Sequence, residues 1–180
     1  MWSQLRRSLP CYSDAPLALL GSDGHCGLLA AWVVLRHFQK RVSSDKLIKQ
    51  CAYTRRYGVF TIGLSCALAE AGLRVTFHTD VEPDPKPFER RQYARARRLG
   101  VPILPAADIP TLLEASRRGD LPVVFYDSSD GVGHFSPLIG MRRRTLLLPH
   151  DQHRSLRISE FQRAWSAPGI FRQSVVASAA

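Results

Sequence analysis

The twelve residues from Gly27 to Phe38, GLLAAWVVLRHF, are apolar on nearly every side. A helix that carries one apolar stripe can lie on a surface, but one that is apolar all round has to be enclosed. The rest of the chain must therefore wrap this segment, which predicts a central helix as the axis of one core. With 180 residues the chain is long enough to bury well over half of its unfolded surface without metals or crosslinks. Hydrophobic residues at 45% and charged residues at 22% are the proportions of a globular domain, and no apolar run reaches the ~18 residues of a spanning helix. No repeat, low-complexity tract or Gly/Ser linker divides the sequence.

Around this axis the first half reads as helical. Ser44 and Asp45 can cap a helix that runs to about Ala52, and Thr61 can cap another that stops at Gly72. RVTFHT, after Gly72, alternates and is β-branched, as a short strand should be. Pro83, Pro85 and Pro87 then precede an arginine-rich amphipathic helix ending near Gly100, and Asp108 or Ile109 with Pro110 opens one that Gly119 closes. Beyond Leu121 the chain reads mainly as strand: PVVFYD, HFSPLIGMR, TLLLPHD and IFRQSVVA, interrupted by a helix from about Ser159 to Trp165. The turn Arg142-Arg143-Arg144 is short enough to make HFSPLIGMR and TLLLPHD an antiparallel hairpin. The expected architecture is α+β, a helical first half packed on an antiparallel sheet from the second.

The formal charge of +10 would suit a polyanion. Its distribution argues against one, because the arginines are spread from Arg6 to Arg172. The runs at Arg90 to Arg98 and Arg142 to Arg144 read as a solvated helix face and a turn, and no nucleic-acid partner is expected. No secretory signal follows Arg6 and Arg7 and no membrane segment is found, so the expected location is cytoplasmic, or outside by an export route without a conventional signal. Four cysteines, Cys11, Cys26, Cys51 and Cys66, lie far apart without a CxxC pair, which favours neither a zinc site nor a disulfide framework. Cys11, Cys51 and Cys66 read as small hydrophobes. No metal and no cofactor is expected, and His25, His150 and His153 read as surface histidines. Tyr126, Phe135 and Trp165 read as core.

Cys26 is different. The segment Gly21-Ser22-Asp23-Gly24-His25-Cys26-Gly27 is a turn that delivers this cysteine to the first turn of the enclosed helix. A thiol there feels the positive end of the helix dipole and unpaired amides, which favour thiolate, and Gly27 leaves room beside the sulfur. A nucleophilic thiol needs a base within reach and a third group that fixes the base's tautomer. Gly133-His134-Phe135 offers an imidazole at the opening of an apolar strand. Asp151 closes TLLLPHD and can return to His134 around the arginine turn.

At these residues the sequence resembles the C39-like cysteine peptidases. The stretch APLALLGSDGHCGLLAAWVVLRHFQKRVSSDKLI resembles their cysteine motif, GHFSPLIGMRRRTLLLPHD their histidine strand and aspartate hairpin, and LRISEFQRAW the short helix that follows. The resemblance runs from about Ala15 to Val176, leaving residues 1–14 as an N-terminal extension and 177–180 as a tail. It implies a papain-like fold, with Cys26 as nucleophile, His134 as general base and Asp151 as orienting carboxylate, acting on a peptide or protein substrate. Without transporter helices the chain would be a freestanding copy. Leu20 stands where that family carries an oxyanion-donating glutamine, and one lost donor costs about 2.7–4 kcal/mol of transition-state stabilisation. The expected function is hydrolysis of a peptide or amide bond through Cys26, His134 and Asp151. The alternatives are a catalytically weak peptide-binding domain, or an acyltransferase or deamidase on the same fold. Oligomeric state is not read from the sequence.

Overall fold

The structure is a computed structural model that describes residues 9–21, 24–128, 131–150 and 154–180. After a 3-10 turn at Tyr12–Asp14 come α1 (Leu17–Leu20), α2 (Cys26–His37), α3 (Ser44–Gln50), α4 (Thr61–Glu70), β1 (Leu73–Thr79), α5 (Pro87–Arg98), β2 (Ile103–Pro105) and α6 (Ile109–Arg117). The second half gives β3 (Leu121–Asp127), β4 (Gly133–Pro137), β5 (Gly140–Arg142), β6 (Thr145–Leu147), β7 (Ser155–Arg157), α7 (Ile158–Trp165) and β8 (Ser174–Ala179). The α+β class holds.

One sheet has the order β2-β1-β8-β3-β4, antiparallel except for the β1/β2 pair, and a second has the order β5-β6-β7. Alternation along β3 sends Val123 into the core that holds α2 and α4, and Val124 and Tyr126 into the core that holds α6 and α7. Both faces of β3 are thus covered, which is why PVVFYD is a continuous apolar run. α2 is the enclosed axis its sequence requires: every residue from Gly27 to Leu35 is buried.

Three local expectations shift. HFSPLIGMR is not one strand. Pro137 has no N–H to extend a ladder and Gly140 takes φ 145°, a conformation that favours glycine. The run therefore leaves β3, its last bond being Leu138 N–H to the Pro122 carbonyl at 2.8 Å, and enters the small sheet through Ile139 N–H to the Leu147 carbonyl at 3.1 Å. The arginine hairpin exists, but it joins β5 to β6, and the partner of β4 is β3. Helix caps move by a residue or two. The Ser43 hydroxyl, not Ser44, accepts from Lys46 N–H at 3.4 Å, and α7 begins before Ser159, with Glu160 accepting from Arg157 N–H at 3.2 Å. Thr61 makes no cap and is buried. Asp108 does cap α6, accepting from Thr111 N–H at 2.8 Å. Among the described residues, no helix is long and apolar enough to cross a membrane.

Candidate active site

Cys26 is the first residue of α2. The first bond of this helix to close is Leu29 N–H to the His25 carbonyl at 2.9 Å, so the amides of Cys26, Gly27 and Leu28 have no partner within the helix. The turn before it is supported from outside. Gly24 (φ 63°) lies against Gly58 (φ 66°), and a Cβ on Gly58 would stand 3.1 Å from the Gly24 carbonyl oxygen. Gly27 has a steric role in the packing: a Cβ there would meet the Val59 Cβ at 2.7 Å and the Phe135 ring at 3.2 Å. Its missing side chain is what lets the mouth of α2 approach β4.

That approach brings the Cys26 thiol to the strand that carries His134. Leu138 bonds toward β3, so in the alternating pattern of an antiparallel ladder Gly133 and Phe135 present their backbone groups to the outer edge of β4. The Cys26 thiol lies on this edge, with Sγ 3.9 Å from the Gly133 carbonyl oxygen and a backbone hydrogen bond from Phe135. His134 stands between those two residues. Its ring packs edge-on to Tyr126, centroids 5.7 Å apart, and its Nε2 lies 2.9 Å from the His150 carbonyl oxygen. A carbonyl only accepts, so Nε2 carries the proton, and in the neutral ring Nδ1 holds the lone pair. Asp151 lies outside the described residues, as do Ser22, Asp23 and His153. Its neighbour His150 is described and supplies the acceptor.

Electrostatics revise one expectation. The Cys26 thiol is pushed above its ordinary pKa, because burial outweighs the backbone hydrogen bonds from Phe135, Gly27 and Cys26 that favour thiolate. The helix mouth alone does not make a standing thiolate, and a nucleophilic sulfur here would require a base. Leu20 ends α1, packs against the core and has no donor to offer.

The other thiols divide. Cys51 and Cys66 are buried as expected, pushed up by burial to about 12 and about 11. Cys11 is exposed instead of packed, and hydrogen bonds from Ser13 lower its pKa. His150, expected on the surface, is half-buried, and its ring stacks on Tyr12. Tyr126, Phe135 and Trp165 are core, as read. Among the described residues, no group of three or more His, Cys, Asp and Glu side chains gathers to hold a metal.

The solved structures that resemble this chain are peptidase domains. One is the peptidase domain of Streptococcus ComA, a bifunctional ABC transporter involved in a quorum-sensing pathway. It matches at a TM-score of 0.57 and 14% identity, over 86% of this chain and 91% of that one. Another is a double-glycine-motif protease from an AMS/PCAT transporter in complex with its leader peptide, at 0.52 and 13%, over 86% and 84%. The fold is that of these C39-type peptidase domains. No family model matches the chain, and no curated protein does.

Proposed function

We propose that this protein is a thiol hydrolase of peptide or amide bonds, with Cys26 as nucleophile, His134 as general base and acid, and Asp151 as the orienting carboxylate. The observation that carries the reading is the Cys26 sulfur resting on the backbone of the residues that flank His134. His134 Nδ1 takes the thiol proton as sulfur bonds to the substrate carbonyl carbon. The oxyanion is met by amides of the first turn of α2, the Cys26 N–H foremost. Collapse of the intermediate breaks the C–N bond, and His134 returns the proton to the leaving amine. Water then gives a proton to His134 while its oxygen attacks the thioester, freeing the acid and the thiol. An amine in place of water would yield acyl transfer.

The substrate class follows by likeness from the leader peptide bound by one structural neighbour: an extended peptide laid across the mouth of α2. A second reading rests on Leu20. With no side-chain donor there, the domain would bind peptide and cleave slowly. A peptidyl chloromethyl ketone followed by peptide mass mapping tests the first reading. The expected result is a covalent adduct on Cys26 that His134→Ala suppresses. An adduct absent from Cys26, or unchanged by His134→Ala, overturns it. Saturable binding of peptides without any Cys26 adduct is the outcome the second reading expects.

A further inference from the structure

Residue Tyr12 lies upstream of every segment that resembles a peptidase, yet it packs at the site. Its ring is parallel to that of His150, with centroids 3.5 Å apart and planes 7° apart. Its hydroxyl donates to the Phe135 carbonyl at 3.4 Å, on the same edge of β4 that receives the Cys26 thiol. Burial pushes the hydroxyl well above its ordinary pKa, with the neighbouring Cys26 adding to the effect, so it stays a donor. Tyr12 therefore ties His150, which follows β6, to the strand that carries His134.

We propose that Tyr12 is a positioning residue. By stacking on His150 it fixes the carbonyl that receives the His134 Nε2 proton, and so holds the imidazole in the tautomer whose Nδ1 can accept from Cys26. The inference rests on the hydrolase reading above. The His150 Nε2 is buried without a hydrogen-bond partner among the described residues, so the stack on Tyr12 is what holds this side of the ring. The ring is neutral at ordinary pH, because burial, His134 and Arg154 together push its pKa down to about 4. Among the described residues, the ionisable groups that act on the pair are Cys26, His134 and Arg154, with Cys11 and Asp14 on the segment of Tyr12 itself.

The test is the rate of Cys26 alkylation by iodoacetamide, followed by peptide-resolved mass spectrometry from acid to alkaline pH. Tyr12→Phe keeps the ring and gives up only a long hydrogen bond, so its rate stays within about twofold of the wild type. Tyr12→Leu fills the space without stacking; its neutral-pH rate falls about tenfold, part of the hundredfold or more that a positioned base contributes, and its pH profile moves toward that of His134→Ala. His150→Ala reproduces that profile and His150→Phe restores the wild-type one. A wild-type profile in Tyr12→Leu and His150→Ala overturns the positioning role. So does a Tyr12→Leu chain that fails to fold while His150→Ala folds and reacts normally. If His134→Ala itself leaves the Cys26 profile unchanged, it is the hydrolase reading that falls, and this inference with it.

Discussion

Of the thiols that this molecule encloses, Cys66 and Cys26 differ in what encloses them. Cys66 lies in the middle of α4, where its Sγ reaches the Gln92 carbonyl at 3.6 Å and apolar neighbours surround it. Cys26 lies at the mouth of α2, where unpaired amides and the edge of β4 surround it. Burial pushes both thiols up, and at Cys66 the value reaches about 11. Backbone donors offset part of that rise at Cys26, and an imidazole stands in the strand it touches. Exposed Cys11 makes the contrast sharper. Its pKa is lowered by hydrogen bonds from Ser13. On the proposed function, low pKa and catalytic position are separate properties, and reactivity that depends on His134 is what should distinguish Cys26.

The largest effect that could break this contrast is loss of the nucleophile. Cys26→Ala is expected to lower kcat/KM on a cleavable peptide by about a thousandfold or more, while Cys66→Ala stays near wild type. Equal losses would mean that the site is elsewhere. Next comes Leu20→Gln, which returns a side-chain donor to the end of α1. A gain in kcat of about tenfold to a hundredfold with little change in KM is expected, and no gain would show that the first-turn amides already suffice.

Gly27→Ala tests the approach of α2 to β4. With a Cβ facing Val59 at 2.7 Å, a loss of about 1–3 kcal/mol in urea unfolding is expected, and an unchanged midpoint would contradict the packing described. The smallest effect concerns a buried charge away from the site. Burial, then the charge of Glu82, raises Glu89 to about 7. The folded state thus keeps a proton that the unfolded chain releases. Its stabilising share is complete below the ordinary carboxylate range and is lost as pH rises through about 7. Glu89→Gln should therefore stabilise the protein above that pH, by on the order of 1 kcal/mol, and have little effect in acid. Stabilisation that is independent of pH would reject the assignment.

How far the sequence carried these conclusions varies with the range of the interaction. The all-round apolarity of GLLAAWVVLRHF forces enclosure, and a turn directly before it puts Cys26 at the helix mouth; both are local and both are found. His134 at the opening of a strand was legible for the same reason. The switch of HFSPLIGMR between two sheets was not, since a period-two pattern reads the same whichever sheet takes each half; Pro137 and Gly140 were the available signals. The direction of the Cys26 pKa depends on how deeply β4 and Tyr12 cover the sulfur, a tertiary quantity with no trace in the helix-start motif. Tyr12 and His150 meet across 138 residues by their numbering, and no spacing rule connects them. An orienting role for Asp151 is an expectation from the resemblance, since Asp151 lies outside the described residues.

The central claim is that His134 activates the sulfur of Cys26. Iodoacetamide labelling at neutral pH, resolved cysteine by cysteine, measures it directly in wild type and His134→Ala. The account predicts that the variant slows Cys26 by about a hundredfold and leaves Cys11 at its original rate. Equal rates at Cys26 in the two proteins would contradict it.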